Sequence, residues 1–220
     1  MNSYVWGSDM WNLLHTTSLT SPTRGSPEDA AKFKRVLETF RQACPCSVCR
    51  SSFNELLSME KFDTSSAQFE PGVFAWELHN AVNTKLGRPE VTYENMYRRY
   101  QHAVEPMSSA QFWQLLYPIA VNAERAGTPQ VGREFTSAAM DLASTLPQLR
   151  DSPMITGLRG VLDSSSGTRL SQELLQLGEN NFGTHCQDSG TWCSVDRRVG
   201  LYDMRRTPGS KMKPNANRES

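Results

Sequence analysis

Residues 71–89 read PGVFAWELHNAVNTKLGRP, and their spacing predicts a helix from Pro71 to about Leu86. Proline suits a first helical turn, and Gly87 followed by Pro89 supplies an end. Phe74, Leu78, Val82 and Leu86 fall on one face, and Trp76, His79, Asn80 and Asn83 stand at i, i+3, i+4, i+7 on another. A helix apolar on one side normally carries Lys and Glu on the other. This second face is aromatic and amide-rich instead, which suits a flat, hydrogen-bonding ligand. Taken singly, each of the four reads as a solvated or interhelical polar residue; together they favour a binding surface.

The chain on either side follows the same period. From Asp9 to about Ser18, Gly7, Trp11 and His15 recur at i, i+4, i+8 with Leu14 beside them. Ser26, Pro27, Glu28 and Asp29 match N-cap, first-turn proline and first-turn acid preferences. A helix should follow to about Ala43, with Phe33, Val36, Leu37 and Phe40 as its buried stripe. Pro45 breaks it, and Phe53, Leu56, Leu57 and Glu60 continue a helical pattern beyond. A shorter helix is expected at Tyr93 to His102. No segment alternates with period two, so the fold class is all-α and the first hundred residues predict a helical bundle. Beyond Glu105 come candidate helices around Phe112 to Ala120, Phe135 to Leu146, Leu158 to Leu162 and Leu170 to Leu177. The expected organisation is a bundle domain over 1–104, a second helical module over 105–178, and a polar, basic, disordered tail over 179–220.

Twenty-three basic and 23 acidic side chains cancel, which argues against a coat for nucleic acid or an anionic membrane, since either needs clustered positive charge. The longest apolar stretch, Phe112 to Val121, contains Gln114 and Pro118 and falls short of the roughly 20 residues that span a bilayer. The N-terminus, MNSYVWGSDMWNLLH, lacks a basic n-region and a cleavage site, so neither a signal nor a transit peptide is expected. The five cysteines are an odd count, with Cys44, Cys46 and Cys49 crowded and Cys186 and Cys193 far away. In a reducing compartment such clusters point to catalysis or metal binding rather than a disulfide framework.

Cys46-Ser-Val-Cys49 at a helix start puts two thiols within disulfide range and lets the N-terminal amides favour thiolate. Two readings stand here: reversible dithiol chemistry, or half of a zinc site. A thioredoxin-like oxidoreductase is disfavoured, because no βαβ pattern flanks the pair.

Three motifs in series then carry a resemblance: W-G-x-x-x-W-x-x-L-H at Trp6 to His15, P-C-x-x-C at Pro45 to Cys49 with Arg50 and Phe53 after it, and W-x-x-H-N-x-V-N-x-K-L-G-x-P at Trp76 to Pro89. Over roughly residues 4 to 102 the sequence resembles the Erv/ALR flavin-linked sulfhydryl oxidases. The missing extra structural cysteine pair and the added helical module look most like the versions of large DNA viruses.

The resemblance implies a four-helix bundle with a short fifth helix, holding FAD. It makes Cys49 the flavin-proximal cysteine and Cys46 the one that exchanges with incoming thiols. Gly7, Trp11, His15, Trp76, His79, Asn80, Val82, Asn83 and Lys85 match motif positions that line the cofactor. Arg88 stands where the family often has a second lysine, and Arg99 with Tyr100 resembles its Arg-Trp pair. The residue types agree: Gly7 permits close approach, and Lys85 and Arg88 can neutralise a pyrophosphate. The implied activity is an FAD-dependent thiol oxidase that forms disulfides in protein dithiol substrates and gives H2O2 from O2. A homodimer is implied, in the host cytoplasm or virion if viral, with the mitochondrial intermembrane space as the alternative.

Cys44 departs from the family, which more often has an aromatic residue there, and it reads as a buried or idle thiol in preference to a partner for Cys46. Cys186 and Cys193 form a candidate shuttle disulfide, although their spacing is not the usual C-x-x-C or C-x-C. His102, Met107 and Met140 read as surface or core, and Trp113 as core of the second module. The second module is expected to serve dimerisation or substrate choice. The rival reading, from a different class, is a non-enzymatic helical interaction protein stapled by zinc on Cys46 and Cys49 with His185, Cys186 or Cys193; the leading reading assigns no metal site.

Overall fold

The computed structural model describes residues 6–65, 69–101, 107–164 and 169–182. The candidate shuttle pair Cys186 and Cys193, His102, His185 and the basic tail lie outside the described residues. Among those described every regular element is helical, so the all-α class holds. The helices are α1 (Gly7–Thr20), α2 (Pro27–Ala43), α3 (Ser47–Leu57), α4 (Pro71–Lys85), α5 (Tyr93–Gln101), α6 (Ser109–Arg125), α7 (Pro129–Ala143), α8 (Pro147–Arg150), α9 (Pro153–Asp163) and α10 (Leu170–Phe182). None is long and apolar enough to cross a membrane.

Local chemistry sets the boundaries. The Ser26 hydroxyl accepts the Asp29 N–H at 3.1 Å, with Pro27 in the first turn of α2. That helix stops one residue before Cys44, because Pro45 has no N–H to continue the ladder. At the start of α4 the carboxylate of Glu70 accepts the N–H groups of Gly72 and Val73, at 3.2 and 2.7 Å. Its other end turns on Gly87, whose φ of +65° is left-handed, and the Arg88 N–H returns to the Asn83 carbonyl at 2.8 Å. Ser108 and Gln111 form a reciprocal capping box on α6.

The stripe of α2 is buried as its period requires, with Phe33, Val36, Leu37 and Phe40 each at most 3% exposed. Phe40 meets Trp6 at the N-cap of α1, Phe53 of α3 and Phe135 of α7, at ring separations of 5.3, 5.4 and 5.6 Å. The core therefore runs without a break across the line between residues 104 and 105, from α1 and α2 into α6, α7, α9 and α10. Arg35 of α2 pairs with Asp141 of α7 on the surface of the same contact. Trp113 of α6 is fully buried and donates its indole N–H to the Leu174 carbonyl of α10 at 2.7 Å.

Several elements differ from their expected extents. α7 begins at Pro129, six residues before Phe135, because that proline is a helix starter and not a loop residue. Gly132 then faces α6 so closely that a Cβ would stand 3.0 Å from the Cβ of Ala123. α10 continues to Phe182, four residues beyond 178. Leu86 is 58% exposed: it is the residue that caps α4, and the helix ends before its apolar face can cover it.

A core common to both halves should unfold as one unit. Phe135→Ala should cost about 3–5 kcal/mol, the range for a buried aromatic truncation. Urea unfolding followed by circular dichroism and by tryptophan fluorescence should give coincident single transitions. Two separated transitions would show that the halves fold independently.

Candidate functional site

Cys46 caps α3 with its own sulfur, accepting the Cys49 N–H at 3.2 Å. The pair is joined as a disulfide, with Cα atoms 5.1 Å apart. Pro45 produces this arrangement, since it ends α2 and lets a new helix begin on a thiol. Both cysteines are half-buried against the core, while Ser47 and Val48 between them are exposed. Cys44 is fully buried, and burial pushes its thiol up to about 11. Its Sγ lies 3.7 Å from the Cys46 carbonyl oxygen. Arg50 donates to the carbonyls of Gln42 and Cys44, which ties α3 back to the end of α2.

A second cluster forms where α1 and α4 cross. Trp11 and His79 lie flat on each other, with centroids 4.2 Å apart and planes 1° apart, so no third ring fits between them. His15 stands beside both, its Nε2 2.9 Å from Nδ1 of His79. Tyr100 of α5 tilts against His15 at 5.1 Å. Burial first, then His79 and Arg99, lowers the His15 pKa to about 3. For His79, burial, Arg88 and Arg99 lower it to about 4. Both imidazoles are therefore neutral at pH 7, and one must donate to the other. Nδ1 of His15 is buried without a hydrogen-bond partner. The tautomer that strands no buried N–H has His15 donating from Nε2 and His79 carrying its proton on Nε2.

The remaining residues singled out by the sequence divide. Gly7 opens α1, and Val82 packs against the core. Asn83 is buried near the end of α4. Arg88 and Arg99 are exposed, yet close enough to act on the imidazoles. Lys85 is engaged with Glu55 of α3, at 2.6 Å. Trp76 and Asn80 do not present free polar atoms: the indole N–H donates to the Val91 carbonyl at 2.6 Å, and the Asn80 amide both donates to that carbonyl and accepts the Val91 N–H, at 2.8 and 3.0 Å. Val91 carried no sequence signal, because its contribution is main chain. Trp6, buried with its indole nitrogen unpartnered, was visible as a motif residue but not as a core one.

The cluster fits a planar, anionic cofactor. It offers stacked aromatic surface, a buried imidazole nitrogen without a partner, and two exposed guanidinium groups whose charges reach His79. Among the described residues no group of three or more His, Cys, Asp or Glu is arranged to hold a metal, and Cys46 and Cys49 are bonded to each other.

Residues 8–101 match the model of the Erv1 / Alr family. The chain is 21% identical over 114 residues to a probable FAD-linked sulfhydryl oxidase of Acanthamoeba polyphaga mimivirus, covering 51% of this chain and 80% of that protein. It is 29% identical over 84 residues to the mitochondrial FAD-linked sulfhydryl oxidase of Saccharomyces cerevisiae, covering 38% of this chain and 44% of that one. A putative FAD-linked sulfhydryl oxidase of Invertebrate iridescent virus 6 is 26% identical over 97 residues, covering 40% and 86%. The match to the yeast protein thus spans less than half its length. No solved structure matches the chain significantly.

Two outcomes follow from the electrostatics. Folded imidazoles held near 3 and 4 bind fewer protons than unfolded ones near 6.5, so their contribution to stability is full above pH 6.5 and is lost as pH falls toward those values. The melting temperature should drop between pH 7 and 4.5, and His15→Asn with His79→Asn should flatten that slope; an unchanged slope would contradict the depressed values. Cys44, buried and protonated at pH 8, should resist iodoacetamide in the native protein and react after denaturation, as read by peptide mass spectrometry. Rapid native labelling would show an accessible thiolate.

Proposed function

We propose that this chain, whose residues 8–101 carry the Erv1 / Alr pattern, is an FAD-dependent thiol oxidase that introduces disulfides into protein substrates and delivers the electrons to O2 as H2O2. The observation that carries the reading is the Cys46–Cys49 disulfide on the first turn of α3, in the same helical domain as the Trp11, His15, His79 and Tyr100 cluster. Bound FAD supplies the two-electron step from the reduced cysteine pair to oxygen.

The chain's own residues account for the rest of the cycle. A substrate thiolate attacks Cys46, forming a mixed disulfide and releasing Cys49 as thiolate. The second substrate thiol, deprotonated, attacks the mixed disulfide, and Cys46 leaves. The Cys49 N–H aimed at Cys46 Sγ stabilises that leaving thiolate, as a helix N-terminus does. The substrate has lost two electrons and two protons, and the pair is reduced. Cys44 stays out of the exchange because a thiol held near 11 is protonated at physiological pH, and only thiolate is nucleophilic. Trp11, His15, His79 and Tyr100 would hold the ring systems, with Arg88 and Arg99 against the phosphates. Neutral imidazoles suit this role, since they accept or donate without repelling the guanidinium groups.

The same reading extends to a homodimer, to Cys186 and Cys193 as an electron relay, and to protein clients met in the host cytoplasm, the virion or the intermembrane space.

Purified protein should be yellow, with a bound-flavin spectrum, and should consume oxygen when given dithiothreitol. Cys46→Ser and Cys49→Ser should each keep the flavin and lose oxygen uptake. A colourless preparation holding stoichiometric zinc, with no oxygen uptake, would sink the reading in favour of a zinc-stapled interaction protein.

A further inference from the structure

Trp76 and Asn80 direct three hydrogen bonds, of 2.6, 2.8 and 3.0 Å, at the main chain of one residue, Val91. Only Thr92 separates Val91 from the first residue of α5. The Tyr93 ring then meets Trp76 edge-on at 5.7 Å. The stretch before Val91 is held as well: Gly87 and Arg88 are bonded to the last turn of α4, and Thr84 donates to the Glu90 carboxylate at 2.9 Å.

That much anchoring has a physical reason in α5 itself. The helix has nine residues, and Met96 is its one buried residue. A helix so short is marginal without tertiary support, and one apolar anchor supplies little of it. Yet α5 must lie at a definite angle across α1, because it places Tyr100 against His15 and Arg99 within reach of both imidazoles.

We propose that Trp76 and Asn80 are positioning residues that dock α5, and through it Tyr100 and Arg99, onto the His15–His79 pair, rather than groups that hold a ligand themselves. Asn80 is suited to this because its side chain copies a peptide, matching both the N–H and the C=O of Val91 as a neighbouring strand would. Leucine, with the same branched outline, has neither group. The consequence for FAD rests on the function proposed above, whereas the docking of α5 does not.

The test uses the full chain without added flavin, so it decides the positioning role whether or not the oxidase reading survives. Amide hydrogen exchange over residues 93–101 and imidazole titration by NMR are compared for the unaltered protein, Asn80→Leu and Trp76→Phe. Loss of these bonds should speed exchange of the α5 amides by roughly tenfold, the scale of one buried hydrogen-bonding unit. His15 and His79 should titrate closer to pH 6.5 as Arg99 and the cover of Tyr100 move away. Exchange that stays as slow as in the unaltered protein in both variants would overturn the proposal. With flavin added, Asn80→Leu and Arg99→Ala should weaken binding non-additively, because one acts through the other. Additive losses, with α5 still protected, would make Asn80 a direct contact and overturn it equally.

Discussion

Phe40 holds the molecule together at one point. Its ring touches Trp6, Phe53 and Phe135, so α1, α3 and α7 all converge on the same residue of α2. Seven residues earlier on that stripe, Phe33 packs edge-on against Phe74 of α4, at 6.2 Å. Because α2 is the element both halves bury, its two ends inherit fixed positions. At one end Asp29 accepts the hydroxyls of Ser21 and Thr23, tying down the turn from α1; at the other Pro45 forces the break that creates the capped cysteine pair.

Two kinds of cysteine arise from that break, separated by burial, bonding and place on the helix. Cys44 faces the core, where a thiolate would lose its solvation, so it remains a thiol. Cys46, two residues on, sits at a helix start with an amide directed at its sulfur. The imidazoles are tuned by the same means: desolvation dominates, and neighbouring cations add to it. One low-polarity frame thus keeps one thiol protonated and two histidines neutral while leaving the Cys46–Cys49 disulfide half-buried.

Much of this was legible in residue patterns. Ser26 with Pro27, the four-residue stripe of α2, and Gly87 before Pro89 are local signals, and each appears in the structure as a cap, a buried face and a left-handed turn. The start of α7 was not, because Pro129 beside Gly127 looks the same in a loop as at a helix N-terminus until α6 packs against Gly132. The face of Trp76, His79, Asn80 and Asn83 was read as a single surface. Periodicity places side chains in a direction but does not say what their polar atoms meet, and here Val91 occupies two of them while His79 turns to His15.

By itself the sequence determined the helical class, the start and end of α2 and the presence of a thiol pair on a helix start, since these depend on spacing and on single residues such as Pro45. Only the tertiary structure decided that the two helical regions have one core, that Cys44 is shut away, and that His15 and His79 meet across α1 and α4. Those outcomes are set by contacts between residues distant in the chain, such as His15 with His79 and Phe40 with Phe135, and by the loss of water around them, which no local pattern encodes.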